Sequence, residues 1–588
     1  MRALLFNFLL INALAQDWPH YGGDAGGMKY SPLRQITAKN VAKLQVAWTY
    51  HTGEMSDGKT DKTRSAFEST PLMIDNRLYV TTPLNRLVAL DAATGREIWA
   101  FDPKLDRTRT YSLYINRGAA WWSNGKQKSL LYGTLDGRLF SVDAETGRER
   151  WSINLRTGTA DKFPTRAYGL TSPPSVYGDL VIVGSLASDG EPQGPNGDIR
   201  AFDIATGKLA WRFHVIPHAG EFGHETWQPG STTDRGGVNA WAPLSVDHQR
   251  GLVFVPLTSP ATDRYGGDRK GDNLFGNSLV ALNAKTGERV WHFQTIHHDL
   301  WDYDLPAQPN LVTLKGQPYV AQITKTGLVF VFDRLTGRPY FPIEERPVPA
   351  SEIEGEQTSP TQPFPVKPPP FARNSFRPDE LRADSPYCAQ ITREANSGGP
   401  YTPIGTKPTI VFPGTNGGAN WGGASFDPRS QTLFVNSMDV AMLVSMVARP
   451  GALPRTRGAG TIDSRYWDKD LRPCQKPPWG HLTAINLATG EFRWRVPLGV
   501  PDTGSPNIGG SIVTAGGLVF IGAANDAKFR AFDSSSGREI WQTPLPSSAF
   551  ATPMTYQVQG KQYVVIAAGG GNDYSDTVSD SLVAYRLP

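Results

Sequence analysis

Along most of the chain, apolar and polar residues alternate in short runs broken by Asp, Thr and Gly, the pattern of antiparallel strands joined by tight turns. One unit recurs seven times: ALDAATGREIW ending at Trp99, SVDAETGRERW at Trp151, AFDIATGKLAW at Trp211, ALNAKTGERVW at Trp291, VFDRLTGRPYF at Phe341, AINLATGEFRW at Trp494 and AFDSSSGREIW at Trp541. Each reads as an apolar strand, a turn made by Asp or Asn with Thr/Ser-Gly, and a second strand opening on a large aromatic.

A lone four-stranded unit of this kind leaves a face unburied, so the units must stack, and radial closure removes the exposed edges. The chain ends in SLVAYRLP, a first strand with no partner after it, whereas Leu44 to Tyr50, LQVAWTY, carries Trp48 with no turn before it. Pairing the two completes a further unit. The pattern therefore predicts an all-β, eight-bladed β-propeller of four-stranded antiparallel blades, with seven blades as the alternative if Phe341 belongs to an insertion. Most copies are roughly fifty residues apart, but the interval from Phe341 to Trp494 is about three times that. Two excursions fill it, 342–408 and 440–478, inside a single domain spanning 16–588. The first contains PTQPFPVKPPPF, a run expected to form no regular ladder. Cys388 and Cys474 fall one in each excursion, and a bridge between them would staple the two together.

Composition narrows the function. With 60 glycines, 47 prolines and 16 tryptophans in 588 residues, the chain suits a rigid, turn-rich scaffold, and a net charge of +4 without long basic clusters excludes nucleic acid as a partner. Arg2, the apolar run Ala3 to Leu14 and the small-residue spacing of Ala13-Leu14-Ala15 predict a signal peptide over 1–15, a mature start at Gln16 and export to the periplasm. No later stretch reaches the ~20 apolar residues of a membrane span. Neither cysteine belongs to a CxxCH, so the chain encodes no covalent haem.

Ionisable chemistry concentrates in His297 to Gln308, HHDLWDYDLPAQ, a loop between two repeats where side chains can converge on a ligand. Its adjacent histidines, His297 and His298, suggest zinc, but no third nitrogen or sulfur ligand has matching spacing. A propeller serves enzymes and interaction scaffolds alike, so function has to come from the loops.

Those loops resemble the quinoprotein dehydrogenases, eight-bladed propellers that hold pyrroloquinoline quinone (PQQ) on the central axis. The resemblance runs from WPHYGGDAGGMKYSPLRQIT through the tryptophan hairpins to TAGGLVFIGAANDAKFRAFD and VQGKQYVVIAAGGG. It is greatest for the propeller part of membrane glucose dehydrogenases, without their membrane helices. It implies that Asp302 is the catalytic carboxylate and that Lys325, in ITKTG, binds the reactive quinone carbonyl. A base in that role must be ionised, so a cation should hold its pKa down. Trp241 would stack on the ring system and Arg117 would bind a cofactor carboxylate. Glu68, Thr171 and Ser185 would make polar rim contacts, with Asn420 and Trp421 facing the quinone.

The same resemblance leaves departures. Tyr111 and Ser112 stand where many members have adjacent cysteines, so Tyr111, Leu113 or Tyr114 would cover that cofactor face. The metal loops GSLASDGEPQG and PLTSPATD offer Asp189, Ser259 and Thr258 beside Asp302, with Asp304 two residues on. Calcium suits such oxygen ligands, with magnesium or a lanthanide as alternatives. The implied substrate is a sugar, polyol or related alcohol. Without a haem motif the electrons would leave to a separate acceptor, a soluble cytochrome or a membrane quinone. The alternative from another class is a cofactor-free propeller that acts as an assembly scaffold.

Overall fold

Eight antiparallel sheets form the blades of a β-propeller. The structure is a computed structural model and describes residues 16–59, 61–449, 452–456, 465–572, 574–575 and 577–588. The predicted signal peptide lies outside the described residues. Ring closure follows the expected route: Gln45–His51 pairs antiparallel with Val578–Arg586, with Trp48 opposite Ala584.

The repeated hairpins explain why the blades hold together. In each turn the aspartate caps the bend, as where Asp143 Oδ1 accepts from the Thr146 N–H and hydroxyl at 2.8 Å each. The glycine is required twice over. Gly147 has φ 71°, and a Cβ there would lie 2.6 Å from Cε3 of Trp99 in the preceding blade. Gly537 meets Trp494 in the same way. The indoles of Trp99, Trp151, Trp211, Trp291 and Trp494 thus lie on the next blade's turn and donate to its backbone, Trp99 to Ala144 O at 3.2 Å and Trp291 to Arg334 O at 2.8 Å.

Gly147→Ala is accordingly expected to cost about 2–4 kcal/mol, the left-handed backbone penalty plus overpacking against the indole. Gly316→Ala is the control, since Gly316 has φ 80° but nothing within 4 Å of the added Cβ. It should lose only about 1–2 kcal/mol. Denaturant titration of both variants checks the difference.

Phe341 belongs to the repeat. Its blade has three strands, Asn310–Leu314, Gln317–Ile323 and Val329–Asp333, because Pro339 has no N–H and reduces the fourth to a single bridge with Phe332. The ring of Phe341 still occupies the tryptophan's place, 3.0 Å from where a Cβ on Gly490 would be. The seven-blade alternative falls, and the expectation of four strands in every blade is corrected here.

The proline-rich excursion also departs from expectation. Thr361–Pro365, TQPFP, pairs with Ile343–Pro347, Pro363 opposite Glu345 and Pro365 opposite Ile343. Prolines two apart present their nitrogens to the same edge, and a two-stranded ribbon has an outer edge to spare. Further along, the helix Pro386–Glu394 is capped by Ser385, and Cys388 is bonded to Cys474 within a buried cluster that includes Phe376, Ile391, Phe412 and Tyr466.

One element had no signal in the pattern. Residues 16–31 run from blade to blade along their innermost strands. Ala25 O accepts from Val246 N at 2.9 Å, Gly26 O from Leu311 N at 2.8 Å, Met28 O from Phe426 N at 2.8 Å and Lys29 O from Val513 N at 3.0 Å. This strap fills the space along the ring's centre. Its Lys29 is fully buried and donates to Gly422 O, directly beneath the loop that carries Asn420 and Trp421.

Candidate active site

Asp302 lies on the loop between the outer strand Arg289–Gln294 and the inner strand of the next blade, and Lys325 on the turn after Gln317–Ile323. Asp299 shapes the first loop. Its carboxylate accepts the N–H groups of Trp301 at 2.9 Å and Tyr303 at 2.8 Å, and Asn277 Nδ2 at 3.0 Å. So held, Asp302 sits at φ 63°, a left-handed conformation a carboxylate side chain tolerates. Lys325 Nζ donates to its carbonyl at 2.7 Å and to Oδ1 at 3.0 Å, and lies 3.5 Å from Asp304 Oδ2. Asp304 in turn accepts Trp241 Nε1 at 3.1 Å and Ser259 N at 2.9 Å, which ties the tryptophan to the charged pair.

Asp302, Lys325 and Trp241 face a cavity of about 230 Å³. It brings together Asp302, Lys325, Glu68, Arg117, Thr171, Trp241, Asn420 and Trp421. Thr171 couples two of them, since its carbonyl accepts Arg117 N at 2.9 Å and its hydroxyl donates to Trp241 O at 3.2 Å. The loop bearing Asn420 can lie on Lys325 only because Gly417 has no side chain: a Cβ there would be 2.6 Å from Lys325 Cα. Arg117 is sandwiched between the rings of Trp241, at 5.3 Å, and Trp421, at 4.6 Å, with Nη2 3.0 Å from Glu68 Oε2. Its Nε and Nη1 are buried with no hydrogen-bond partner among the described residues.

Residues 18–564 match the family model "PQQ: Glucose/ethanol/alcohol dehydrogenase, beta-propeller domain". The chain belongs to the PQQ-dependent dehydrogenases. It is 35% identical to quinoprotein glucose dehydrogenase A of Acinetobacter calcoaceticus, over 97% of this chain and 79% of that one. It is also 35% identical to the glycerol dehydrogenase large subunit of Gluconobacter thailandicus, over 98% and 86%. Among solved structures, a quinohemoprotein alcohol dehydrogenase of Pseudomonas putida superposes with a TM-score of 0.76 at 26% identity, covering 97% of this chain and 80% of that one. As a PQQ-dependent oxidoreductase of a sugar, polyol or alcohol, the protein is an enzyme and not a cofactor-free scaffold.

The residues present suit the quinone of this dehydrogenase family. PQQ is flat and carries three carboxylates. Two partnerless guanidinium nitrogens on Arg117 and the indole faces of Trp241 and Trp421 are complementary to such a molecule. Burial lowers the pKa of Arg117 and raises that of Glu68 despite their ion pair, so a further anion at the free guanidinium edge would relieve the arginine.

A divalent cation is suited by the opposite imbalance. Burial, with Asp304 adding to it, pushes Asp302 up to about 7 although Lys325 opposes the shift. The expected cation is therefore present, but it does not hold the carboxylate down by itself. Burial and Asp304 likewise raise Asp189 to about 6. Asp263 is raised well above the usual range by burial and then by Asp189, Asp302 and Asp304. Lys325 is raised because these neighbours outweigh its burial.

Asp263 closes the PLTSPATD loop, in which the positions that match the family are Thr258 and Ser259. Those two are turned into the scaffold. Thr258 Oγ1 accepts Asn239 N at 2.9 Å, and the Ser259 hydroxyl donates to Asp299. Ser185 is also set apart, behind Thr171 and Trp241 and off the main cavity. Of the residues expected to cover the cofactor face, Leu113 lines the cavity along with Ser112, while Tyr111 and Tyr114 pack on each other behind it. His297 and His298 diverge: the first meets Gln294 and Glu345, while the second donates from Nδ1 to Gly271 O at 2.7 Å and is held neutral, at about 3, by burial.

Proposed function

We propose that the protein oxidises a substrate hydroxyl with Asp302 as general base, Lys325 as its positioning cation, and a separate electron acceptor. The observation that carries this reading is the Asp302–Lys325 contact at 3.0 Å on the wall of the cavity that Arg117 and Trp241 also line. Asp302 takes the hydroxyl proton. The substrate's C–H leaves as hydride, so the carbinol becomes a carbonyl and two electrons pass to the oxidant. PQQ bound in the cavity supplies that oxidant. Lys325, with its ammonium fixed by the Asp302 carbonyl and carboxylate and by Asp304, stands ready to stabilise negative charge that develops beside it.

Asp302, Asp304, Asp189 and Asp263, electrostatically coupled although no three of them bring carboxylate oxygens within 4.8 Å of one another here, would draw together to hold calcium, which would act as a Lewis acid. Beside the charged groups the lining mixes apolar Leu113, Ile115 and Ile508 with polar Thr415, Asn416 and Asn572, a lining suited to a polyol or sugar ring. The signal-like N-terminus supports work in the periplasm, with a cytochrome or membrane quinone as acceptor. Among the described residues no helix is long and apolar enough to cross a membrane.

The test is reconstitution of the purified chain with PQQ and calcium, followed by dye-linked assay on a panel of aldoses, polyols and primary alcohols. Activity is expected only when both are added, with the highest kcat/KM on a polyhydroxylated substrate. Failure to bind the quinone would end this reading.

A further inference from the structure

The outer surface of one blade carries a group of ligating side chains that the active site does not use. The strand Leu209–Phe213 is the outermost of its sheet, and the chain leaves it as HVIPHAGEFGHETW. Along this stretch the rings of His214 and His218 stack with centroids 3.9 Å apart at 21°. Glu221 sets its two carboxylate oxygens 2.9 and 3.2 Å from His214 Nδ1, and one of them accepts the N–H of His218 at 2.8 Å. One ligand atom from each of the three falls within 4.8 Å of the others, and among the described residues no other group of three His, Cys, Asp or Glu does so.

We propose that His214, His218 and Glu221 bind a divalent transition metal, zinc by preference, at a site separate from the quinone cavity. Two imidazole nitrogens and one carboxylate oxygen are a donor set that zinc accepts in tetrahedral geometry, with solvent filling the fourth position on this exposed face. Calcium and magnesium, which take oxygen ligands, are poorly served by it.

The loop is already shaped for this role. Glu221 N donates to His218 O at 2.9 Å, His224 N to Glu221 O at 3.2 Å, and Phe275 N to Val215 O at 3.1 Å. The turns at Gly220 and Gly223 are left-handed, at φ 88° and 94°. Binding therefore requires side-chain rotation more than backbone refolding, which keeps its entropic cost low.

The ion would close the loop onto the strand end. Past that point the same loop is fixed to its neighbour, with Asn273 N donating to Thr226 O at 3.1 Å and Trp227 Nε1 to Leu274 O at 2.5 Å. The neighbour is the loop that reaches Asp263. The metal thus acts as a structural clip on this loop, not as a participant in the reaction.

The experiment is a zinc chloride titration by calorimetry of the PQQ-loaded protein, with calcium in excess so that the carboxylates near Asp302 are occupied. The expected result is one zinc per chain. His214→Ala and His218→Ala should each weaken it by at least about tenfold to a hundredfold, the scale on which even supporting residues of metal sites act. Cobalt(II) should give the visible absorption of a tetrahedral site in the parent chain and lose it in the double variant. Glu221→Gln, at an exposed position, keeps the test readable if a histidine variant fails to fold, and it too should weaken binding. No zinc uptake by the parent chain, or equal uptake by the double histidine variant, would overturn the proposal.

Discussion

Asp302→Asn is expected to bind PQQ as the parent chain does and to turn substrate over about 10²–10⁴-fold more slowly, the range a positioned general base contributes. The substitution is nearly isosteric, and the surrounding contacts survive it. Lys325 keeps its bond to the Asp302 carbonyl at 2.7 Å and its approach to Asp304 at 3.5 Å, and the loop keeps its bonds to Asp299. What is lost is the one carboxylate that faces the cavity beside Lys325. The assay should be run with the quinone and calcium saturating and with bound metal measured, so that a missing cation is not mistaken for a missing base. A large fall in kcat with little change in KM is the expected split. Undiminished turnover by this variant would remove Asp302 from the mechanism.

The second large effect concerns the cofactor. Arg117→Met should raise the dissociation constant for PQQ by about a hundredfold to a thousandfold, in line with the ~2–5 kcal/mol lost when one member of a buried, hydrogen-bonded charge pair is truncated. Arg117 is buried between two indoles with two nitrogens unpartnered, and no other cation shares that position in the cavity lining. Removing it also strands Glu68, so the single variant should lose stability as well as affinity. Arg117→Met with Glu68→Gln separates the two effects: it should regain stability without regaining quinone affinity. Arg117→Lys keeps the charge but not the planar fork, and should fall between parent and methionine variant. Fluorescence titration and thermal melting read both quantities.

The ring was legible because its signals are local. A turn aspartate or asparagine, a left-handed glycine and an aromatic four residues after it recur in every copy, and even Phe341 announces its blade by this pattern. The strap over residues 16–31 leaves no such trace, because it pairs with each blade it meets through only one or two backbone bonds and its glycines carry no periodicity. The TQPFP strand was hidden for the opposite reason: prolines argue against a ladder unless one knows that only one edge is used.

At the site, chemistry alone pointed to the stretch from His297 to Gln308, and the roles of Lys325, Arg117, Trp241 and Asn420 came from family resemblance. Transfer by position gives Thr258 and Ser259, whose hydroxyls are engaged elsewhere in the structure, while Asp263 in the same loop is electrostatically coupled to Asp189, Asp302 and Asp304. Asp299 was visible as one more aspartate, but its task is to bind backbone N–H groups, which only coordinates reveal.

The most direct test is a crystal structure of the chain loaded with PQQ and calcium. Planar density should fill the cavity against Trp241, with its reactive edge toward Asp302 and Lys325 and a carboxylate on Arg117. Density for the quinone at any other place, or an empty cavity in crystals grown with the cofactor at saturation, would contradict the account.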